Sequence, residues 1–374
     1  MTLEDSPDPV PNPPASDPIA APDLLSTEPI PEGEEDEDGA DEDEDDPWAE
    51  AASPEPVPAG IVRPKTLTFR FVVENECHGW RLDRYLQKKI RRLSRSRIQR
   101  IIAGECDVAG RPAKNGMRVF LDQQVSFTRP TPPEPEVPRN ISIVMADPSF
   151  YVIDKPSGLP IHPTARYHFS TLTNVLHERY PDEPLQVAHR LDRETSGLML
   201  VARDRPAGSF LKQAFARRLV SKRYLAIVHG RVEPDELLLD QPMAPDPVRV
   251  RVRMAVRPVS EGGLPAVTAV TVLRRGEHFT LVECRPHTGR QHQIRVHLNS
   301  IGHPIVGDKL YPDEELFIRW AEGGDEAVKG ELLLPRHALH AAGIIFPHPR
   351  TGAPVEAVCP LPPDLLAFLE QQQV

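Results

Sequence analysis

Two spacings of apolar residues divide this chain. In "LDRYLQKKIRRL", residues 82–93, Leu82, Tyr85, Leu86, Ile90 and Leu93 fall on one face of a helix. Ser94 or Ser96 can cap a second helix that turns Ile98, Ile101 and Ile102 inward and closes at Gly104. "CDVAGRPAKNGMRVFLDQQVSF" then reads as short strands with turns at Gly110 and Gly116. Beyond residue 140 strand-like runs take over: "ISIVM", "FYVIDK", "GLMLVA", "RYLAIVHG", "AVTAVTVL" and "FTLVECRP". Helices are predicted over 171–180, over 205–219 (Asp204 as cap, Pro206 in the first turn) and over 290–300. "VRVRVRMAVR" alternates strictly, with Val248, Val250, Val252, Met254 and Val256 on one face and arginines at most positions between, which predicts a sheet edge or hairpin with a basic face. No internal repeat is visible. The expected fold class is α+β: a mixed, largely antiparallel sheet with flanking helices, preceded by a small α/β unit.

Charge sharpens the division. Of the 374 residues, the first 60 hold 20 Asp and Glu and no Lys or Arg, leaving 35 acids against all 44 bases, a net of +9, in the rest. Those 60 residues also hold 13 of the 43 prolines and the run "EGEEDEDGADEDEDD". Such a segment cannot bury enough apolar surface to offset its ordering entropy, so residues 1–65 are expected to be a disordered acidic tail. It reads first as a solubilising tail, and alternatively as a polyanion mimic that folds back on the basic body. Residues 66–128 form the expected small domain, the Pro-rich 129–139 an extended linker and 140–374 the large domain. The four cysteines are far apart, which suggests neither a disulfide framework nor a thiolate zinc site and fits a reducing compartment. "MTLEDSPDPV" has neither a basic nor an apolar leader region, and no run approaches the ~20 apolar residues of a membrane span. The expected location is the cytoplasm, with no membrane partner.

The polar faces of the first two helices carry Arg81, Arg84, Lys88, Lys89, Arg91, Arg92, Arg95, Arg97 and Arg100, against Asp83 alone between 81 and 100. A solvated face normally mixes signs, so this set is the candidate for RNA phosphate contact. "RLDRYL", "SRSRIQRIIAGE" and "DVAGRPAK" resemble, in this order, the small RNA-binding domain named after ribosomal protein S-four. Members of that family usually carry Asn where this chain has Ala109, and a Gly-Asp pair near Leu121 and Asp122.

Candidate chemistry centres on "AHRLDRETSGLML", residues 188–200. Standard glycine-rich phosphate loops, a His-Glu-x-x-His helix and a Gly-x-Ser-x-Gly elbow are all missing. His287, His292, His297 and His303 do not stack on one helical face, so no metal site is expected there. Asp192 lies between Arg190 and Arg193; if both guanidiniums point towards it, they hold it ionised. Such a carboxylate is either a member of a structural ion pair or a nucleophile. A glycosidase pair of Asp192 with Glu194 or Glu283 would need a set separation that sequence does not give.

Four stretches bear on this choice. "HRLDRETSGLMLVAR", "SKRYLAIVHG", "RPHTGRQHQIRVHLNSIGHPIVGDKLY" and "RHALHAAGIIFPHPRTG" stand in this order and resemble the RNA pseudouridine synthases of the RluA class over about 140–371. The resemblance implies an isomerase that needs no cofactor and acts on RNA, expected to be 23S-type ribosomal RNA or the assembling large subunit. It implies that Asp192 attacks the anomeric carbon of the target uridine, or promotes loss of the base by a related route, after which the base rotates and re-bonds through its carbon five. Tyr224 would stack on the base and help remove the carbon-five proton. Arg295 would pair with Asp192, and Ile294 would form an apolar wall. Arg290 and Arg193 are assigned to backbone phosphates or structural pairing. His189 and Arg190 are assigned to loop shaping or RNA contact, and Lys155 in "KPSGLPIHP" to phosphate. A monomer is expected. The competing readings are a non-catalytic RNA-binding or ribosome-assembly factor and a carboxylate-dependent glycoside hydrolase.

Overall fold

The strand Ser196–Ala202 shows why the long apolar runs are strands rather than helices: every one of its residues is buried. Met199 and Val201 join one hydrophobic cluster, and Leu198 and Leu200 join another on the opposite face of the sheet. A strand covered on both faces reads as a continuous apolar run instead of an alternation.

The computed structural model describes residues 66–90, 95–130, 134–163, 167–246, 250, 252–311, 313–328 and 330–374. The acidic stretch 1–65 lies outside them, as do Arg91, Arg92 and Leu93 of the basic segment. In chain order, the front unit comprises β1 (Thr66–Val72), α1 (Leu82–Lys89), α2 (Arg95–Ala103), β2 (Glu105–Val108), β3 (Arg111–Pro112) and β4 (Gln124–Pro130). Its antiparallel sheet runs β1-β4-β2-β3. Leu82, Tyr85, Leu86 and Ile90 of the first helical stripe, and Ile98 and Ile102 of the second, pack on Phe69 and Phe127 in one core. Ile101 is only partly buried against it, and Ser96 lies inside α2 rather than capping it.

The large unit follows: β5 (Ser142–Ala146), β6 (Phe150–Lys155), α3 (Leu172–Arg179), β7 (Gln186–Val187), β8 (Ser196–Ala202), α4 (Arg205–Ala216), β9 (Ser221–His229), β10 (Glu236–Leu239), β11 (Met243–Pro245), β12 (Met254–Val256), β13 (Thr268–Arg275), β14 (Phe279–Pro286), α5 (Gln293–Ser300), α6 (Glu314–Gly323), β15 (Leu339–Pro347), β16 (Pro354–Val358) and α7 (Pro363–Gln371). Ten strands form one sheet in the order β10-β13-β14-β9-β15-β8-β6-β5, with β16 paired to β15 and β7 to β8. Every pairing is antiparallel except β15 with β8. The expected α+β class with a largely antiparallel sheet is therefore what forms. Leu172, Val175 and Leu176 of α3, Ile294 and Leu298 of α5, and Leu365, Phe368 and Leu369 of α7 cover one face, and α4 covers the other through Ala207, Leu211 and Ala214. Asp204 caps α4, its carboxylate accepting from the Ala207 amide, with Pro206 in the first turn. Gly197 marks where parallel β8 meets β15: its φ is +111°, and a Cβ there would lie 2.3 Å from the Ala341 carbonyl oxygen. Among the described residues no helix is long and apolar enough to cross a membrane.

Three expectations are refined by the structure. Among the described residues of "VRVRVRMAVR", Met254–Val256 pairs with β11 in a two-stranded antiparallel hairpin, one of the two forms expected, and the strand is short because the Arg253 amide turns back to the Val250 carbonyl. Of the stretch's described arginines, Arg253 and Arg257 both pair with Asp246. The Pro-rich segment is fastened at its described end, where the Glu134 carboxylate accepts from the backbone amides of His168, Phe169 and Ser170. Phe169 itself packs into the front unit's core. The helix expected from residue 290 starts at Gln293, after His292 in the left-handed region at φ +54°.

Ala109 and Gly110 join β2 to β3 with φ of +52° and +74°. A two-residue hairpin with both φ positive favours Asn-Gly, because a Cβ without a local hydrogen bond is strained there. Ala109→Asn should therefore stabilise the front unit by about 0.5–1 kcal/mol. The check is a higher urea midpoint at unchanged slope.

Candidate active site

The two-residue period of β9 sends Lys222 and Tyr224 to one face and Arg223 to the other. Arg223 pairs with Glu283, while Lys222 and Tyr224 line a cavity of about 120 Å³. The loop before β8 brings Arg190 and Asp192 to the same wall, and the segment from β14 into α5 brings Arg290, Ile294 and Arg295. Gln293 ties that segment down: its Oε1 accepts from the Arg290 amide and the Thr288 hydroxyl, and its Nε2 donates to the Val267 carbonyl.

Asp192 is the one carboxylate on this wall among the described residues. The Arg295 Nη1 donates to its Oδ2 at 2.8 Å, across 103 positions of sequence. Arg295 is almost fully buried, at 2% exposure, and its other face is gripped by Asp308: Nε donates to Oδ2 at 2.7 Å and Nη2 to Oδ1 at 3.0 Å. Asp308 Oδ1 also accepts from the backbone amides of Leu310 and Tyr311. Burial opposes ionisation of Asp192, but the charges of His292, Arg295 and His337 outweigh it and hold the carboxyl well below the usual carboxylate range. His337 is itself pushed down by burial, so Arg295 is the permanent charge among them.

The residues after Asp192 are each anchored. The Arg193 carbonyl accepts from the Gly158 amide and Lys155 Nζ. The Glu194 carbonyl accepts from Ser157, and the Glu194 carboxylate from Lys309 and the His337 amide. Thr195 Oγ1 bonds His337 Nε2 at 2.7 Å. A residue held this way needs no reorganisation before it acts. Tyr224 is buried against the cavity, and burial, then the Asp192 charge, pushes its hydroxyl above the ordinary tyrosine range.

Asp192, Tyr224, Arg295, Ile294, Arg290 and Arg190 thus share one cavity, and three expected contact residues do not. Lys155 spends its ammonium on the carbonyls of Pro156, Leu159 and Arg193. Arg193 is buried between Tyr167 and Trp320 and pairs with Glu194. His189 accepts from the Leu200 amide and stacks on Phe215, and burial pushes it down to about 3. Their side chains shape the loops, and the expected grip of Arg193 on Asp192 is replaced by that of Arg295. The glycosidase pairing also loses its partners. Glu194 is bound by Lys309, and Glu283 by Arg223 and Arg285, both off the cavity wall.

In the front unit, Lys88 pairs with Glu76 and Lys89 with Glu74, acids outside the 81–100 window, and Arg81 pairs with Asp83 inside it, so part of the basic face is neutralised. Arg84 stacks 4.4 Å over Trp80, and Arg95, Arg97 and Arg100 are exposed. Among the described residues no group of three or more His, Cys, Asp or Glu is placed to hold a metal ion. Asp308 and Lys222 were not singled out from sequence. The available signal was Arg295 itself, a charge inside the apolar "QIRVHL" that needs more than one partner to be buried.

Known proteins carry the same framework. A family model described as RNA pseudouridylate synthase matches residues 149–300. An uncharacterized RNA pseudouridine synthase of Bacillus subtilis is 33% identical over 302 residues, 78% of this chain and 93% of that one. The ribosomal large subunit pseudouridine synthase D of Neisseria meningitidis serogroup A is 37% identical over 307 residues, 79% of each chain. The solved structure of human RNA pseudouridylate synthase domain containing 4 superposes with a TM-score of 0.51 at 29% identity, covering 62% of this chain and 92% of that one. With that degree of identity over 79–93% of such relatives, the chain belongs to the RNA pseudouridine synthases, enzymes that isomerise uridine to pseudouridine.

Proposed function

We propose that this enzyme modifies uridine in large-subunit ribosomal RNA and that Asp192 is its nucleophile. The observation that carries the second part is the ion pair of Asp192 with buried Arg295 on the cavity wall: it keeps one desolvated carboxylate ionised and aimed. A carboxylate of this kind is competent at a sugar carbon. Attack at the anomeric carbon breaks the bond to N1, and the uracil leaves with that electron pair. The base turns within the cavity, its carbon five bonds the anomeric carbon, Asp192 is released and the carbon-five proton is lost. No net oxidation or group transfer occurs. Tyr224 enters as a neutral phenol, so it stacks on the base and takes a proton only as it gives up its own. Ile294 supplies an apolar wall that helps keep the detached base in place.

The ribosomal target rests on the relatives named for the large ribosomal subunit, at 34–37% identity. The front unit serves as an RNA-binding domain of the S-four type, supported by its two-helix order and by exposed Arg84, Arg95 and Arg100. The target uridine must leave its stack, and phosphate contacts offset that cost. Pseudouridine mapping across total RNA from wild type, a deletion strain and an Asp192→Ala strain tests both parts. The expected result is loss of the same large-subunit sites in both mutants. Sites lost only from transfer RNA would overturn the target, and sites retained in Asp192→Ala would overturn the nucleophile.

A further inference from the structure

One buried side chain reaches two of the groups whose charge keeps Asp192 ionised. His292 and Arg295 line the cavity, and Tyr311 packs behind them at 1% exposure. The Tyr311 hydroxyl donates to the Met254 carbonyl at 3.2 Å and accepts from the Met254 amide at 2.9 Å. A phenol has one proton, so in its 3.3 Å contact with His292 Nδ1 the hydroxyl accepts and the imidazole donates. The two rings meet edge to face, 5.9 Å between centroids. The Arg295 guanidinium lies over the same tyrosine ring, 5.3 Å from its centroid. A guanidinium stacked by its face keeps its edges directed at carboxylates, here Asp192 and Asp308. The Tyr311 amide donates to Asp308 as well.

The backbone at His292 shows why this contact matters. His292 is the N-cap of α5, and its φ of +54° lies in the left-handed region, which a residue with a Cβ enters at a cost in strain. Its carbonyl accepts from the Val296 amide, so the turn at His292 sets where α5 begins and how Arg295, three residues on, meets Asp192. We propose that Tyr311 is a positioning residue of the isomerisation: its hydroxyl holds His292 in the left-handed turn and its ring holds the plane of the Arg295 guanidinium, so that one side chain outside the cavity aims that cation at Asp192. Tyr311 touches neither the uridine nor the reacting atoms. The proposal rests on the reading of Asp192 as the nucleophile.

The test is steady-state kinetics of the full chain on a ribosomal RNA fragment across a pH series, for wild type, Tyr311→Phe and Tyr311→Leu, with urea denaturation of each. Tyr311→Phe keeps the ring and deletes the hydroxyl. Its kcat should fall about tenfold with KM within about twofold of wild type, because a small misplacement of the reacting groups costs rate. Tyr311→Leu also removes the face under Arg295. Its kcat should fall about 100-fold, and the acid limb of kcat/KM should move to higher pH as the counter-charge on Asp192 weakens. A merely structural tyrosine would lower the urea midpoint and leave the kcat and the acid limb of the folded enzyme in place. That result overturns the proposal, as does a raised KM at unchanged kcat in Tyr311→Phe. An unmoved limb in folded Tyr311→Leu overturns the hold on Arg295. If Tyr311→Leu does not fold, the split between kcat and KM in Tyr311→Phe decides. Turnover by Asp192→Asn would instead overturn the reading of Asp192 itself, whatever the tyrosine variants do.

Discussion

Asp192→Asn should bind RNA within about twofold of wild type and form no measurable pseudouridine. The amide keeps the volume of the carboxylate and still accepts from Arg295 Nη1, so the cavity keeps its shape. What is lost is the anionic oxygen, and removing a nucleophile costs on the order of 10,000-fold or more in rate. Alanine is the poorer probe of mechanism, because it also strands a buried guanidinium donor at about 1–3 kcal/mol. The measurement is release of label from carbon five of the uracil, set beside a binding isotherm on the same RNA. Product at more than about one per cent of the wild-type rate would exclude nucleophilic attack by Asp192. Loss of binding in step with loss of product would point to a structural ion pair.

The second large effect belongs to Arg295. Arg295→Met leaves Asp192 and fully buried Asp308 without their shared cation. Breaking a buried pair from one side costs about 3–5 kcal/mol, and here two carboxylates lose the partner at once. The pH dependence has a definite sign. In the wild type the folded Asp192 titrates below its unfolded value, so its contribution to stability is present above about pH 3.9 and is lost only as pH falls through the lower folded value. In Arg295→Met burial is opposed only by His292 and His337, so the folded value rises and the penalty is largest at neutral pH. Urea denaturation should therefore show a deficit that shrinks as pH is lowered from 7 towards 4.5 and the carboxyls take up protons. The acid limb of kcat/KM should move to higher pH in parallel. A deficit that is constant with pH would mean that Arg295 contributes packing rather than charge. Arg295→Lys should fall between wild type and Arg295→Met, since the three donors of an ammonium radiate from one nitrogen and lack the planar fork that reaches Asp192 on one side and both oxygens of Asp308 on the other.

Much of this was legible in the sequence. β6 and β8 announce themselves because strands buried on both faces read as near-continuous apolar runs. α1 and α2 follow from one-sided stripes. Asp192, Tyr224 and Arg295 come together as the family resemblance implies, but residue chemistry alone left Asp192 undecided between ion pair and nucleophile. Local charge reading failed where neighbours in sequence point apart. Arg193, adjacent to Asp192, turns to Tyr167 and Trp320, while the arginine that matters lies 103 positions away. The same limit applies to the basic helices, whose acids come from Glu74 and Glu76 in the turn before them. Strict alternation in "VRVRVRMAVR" marked a hairpin strand but not its short length, because a turn at Val250 and ion pairs to Asp246 override a short local pattern.

Phe169 leaves one further mark. By sequence it belongs to the loop before α3, and by packing it belongs to the core of the front unit, with Glu134 pinning the backbone beside it. A chain shortened to begin at residue 140 would keep every residue of the cavity and still carry an aromatic ring with nothing to cover it. Fully exposing such a side chain costs about 1.5–3 kcal/mol, and it creates a sticky surface beside Tyr167, the ring that braces Arg193. The seam between the two units is therefore a poor place to cut, and exchanging the front unit for another would succeed only if the donor brought its own socket for Phe169.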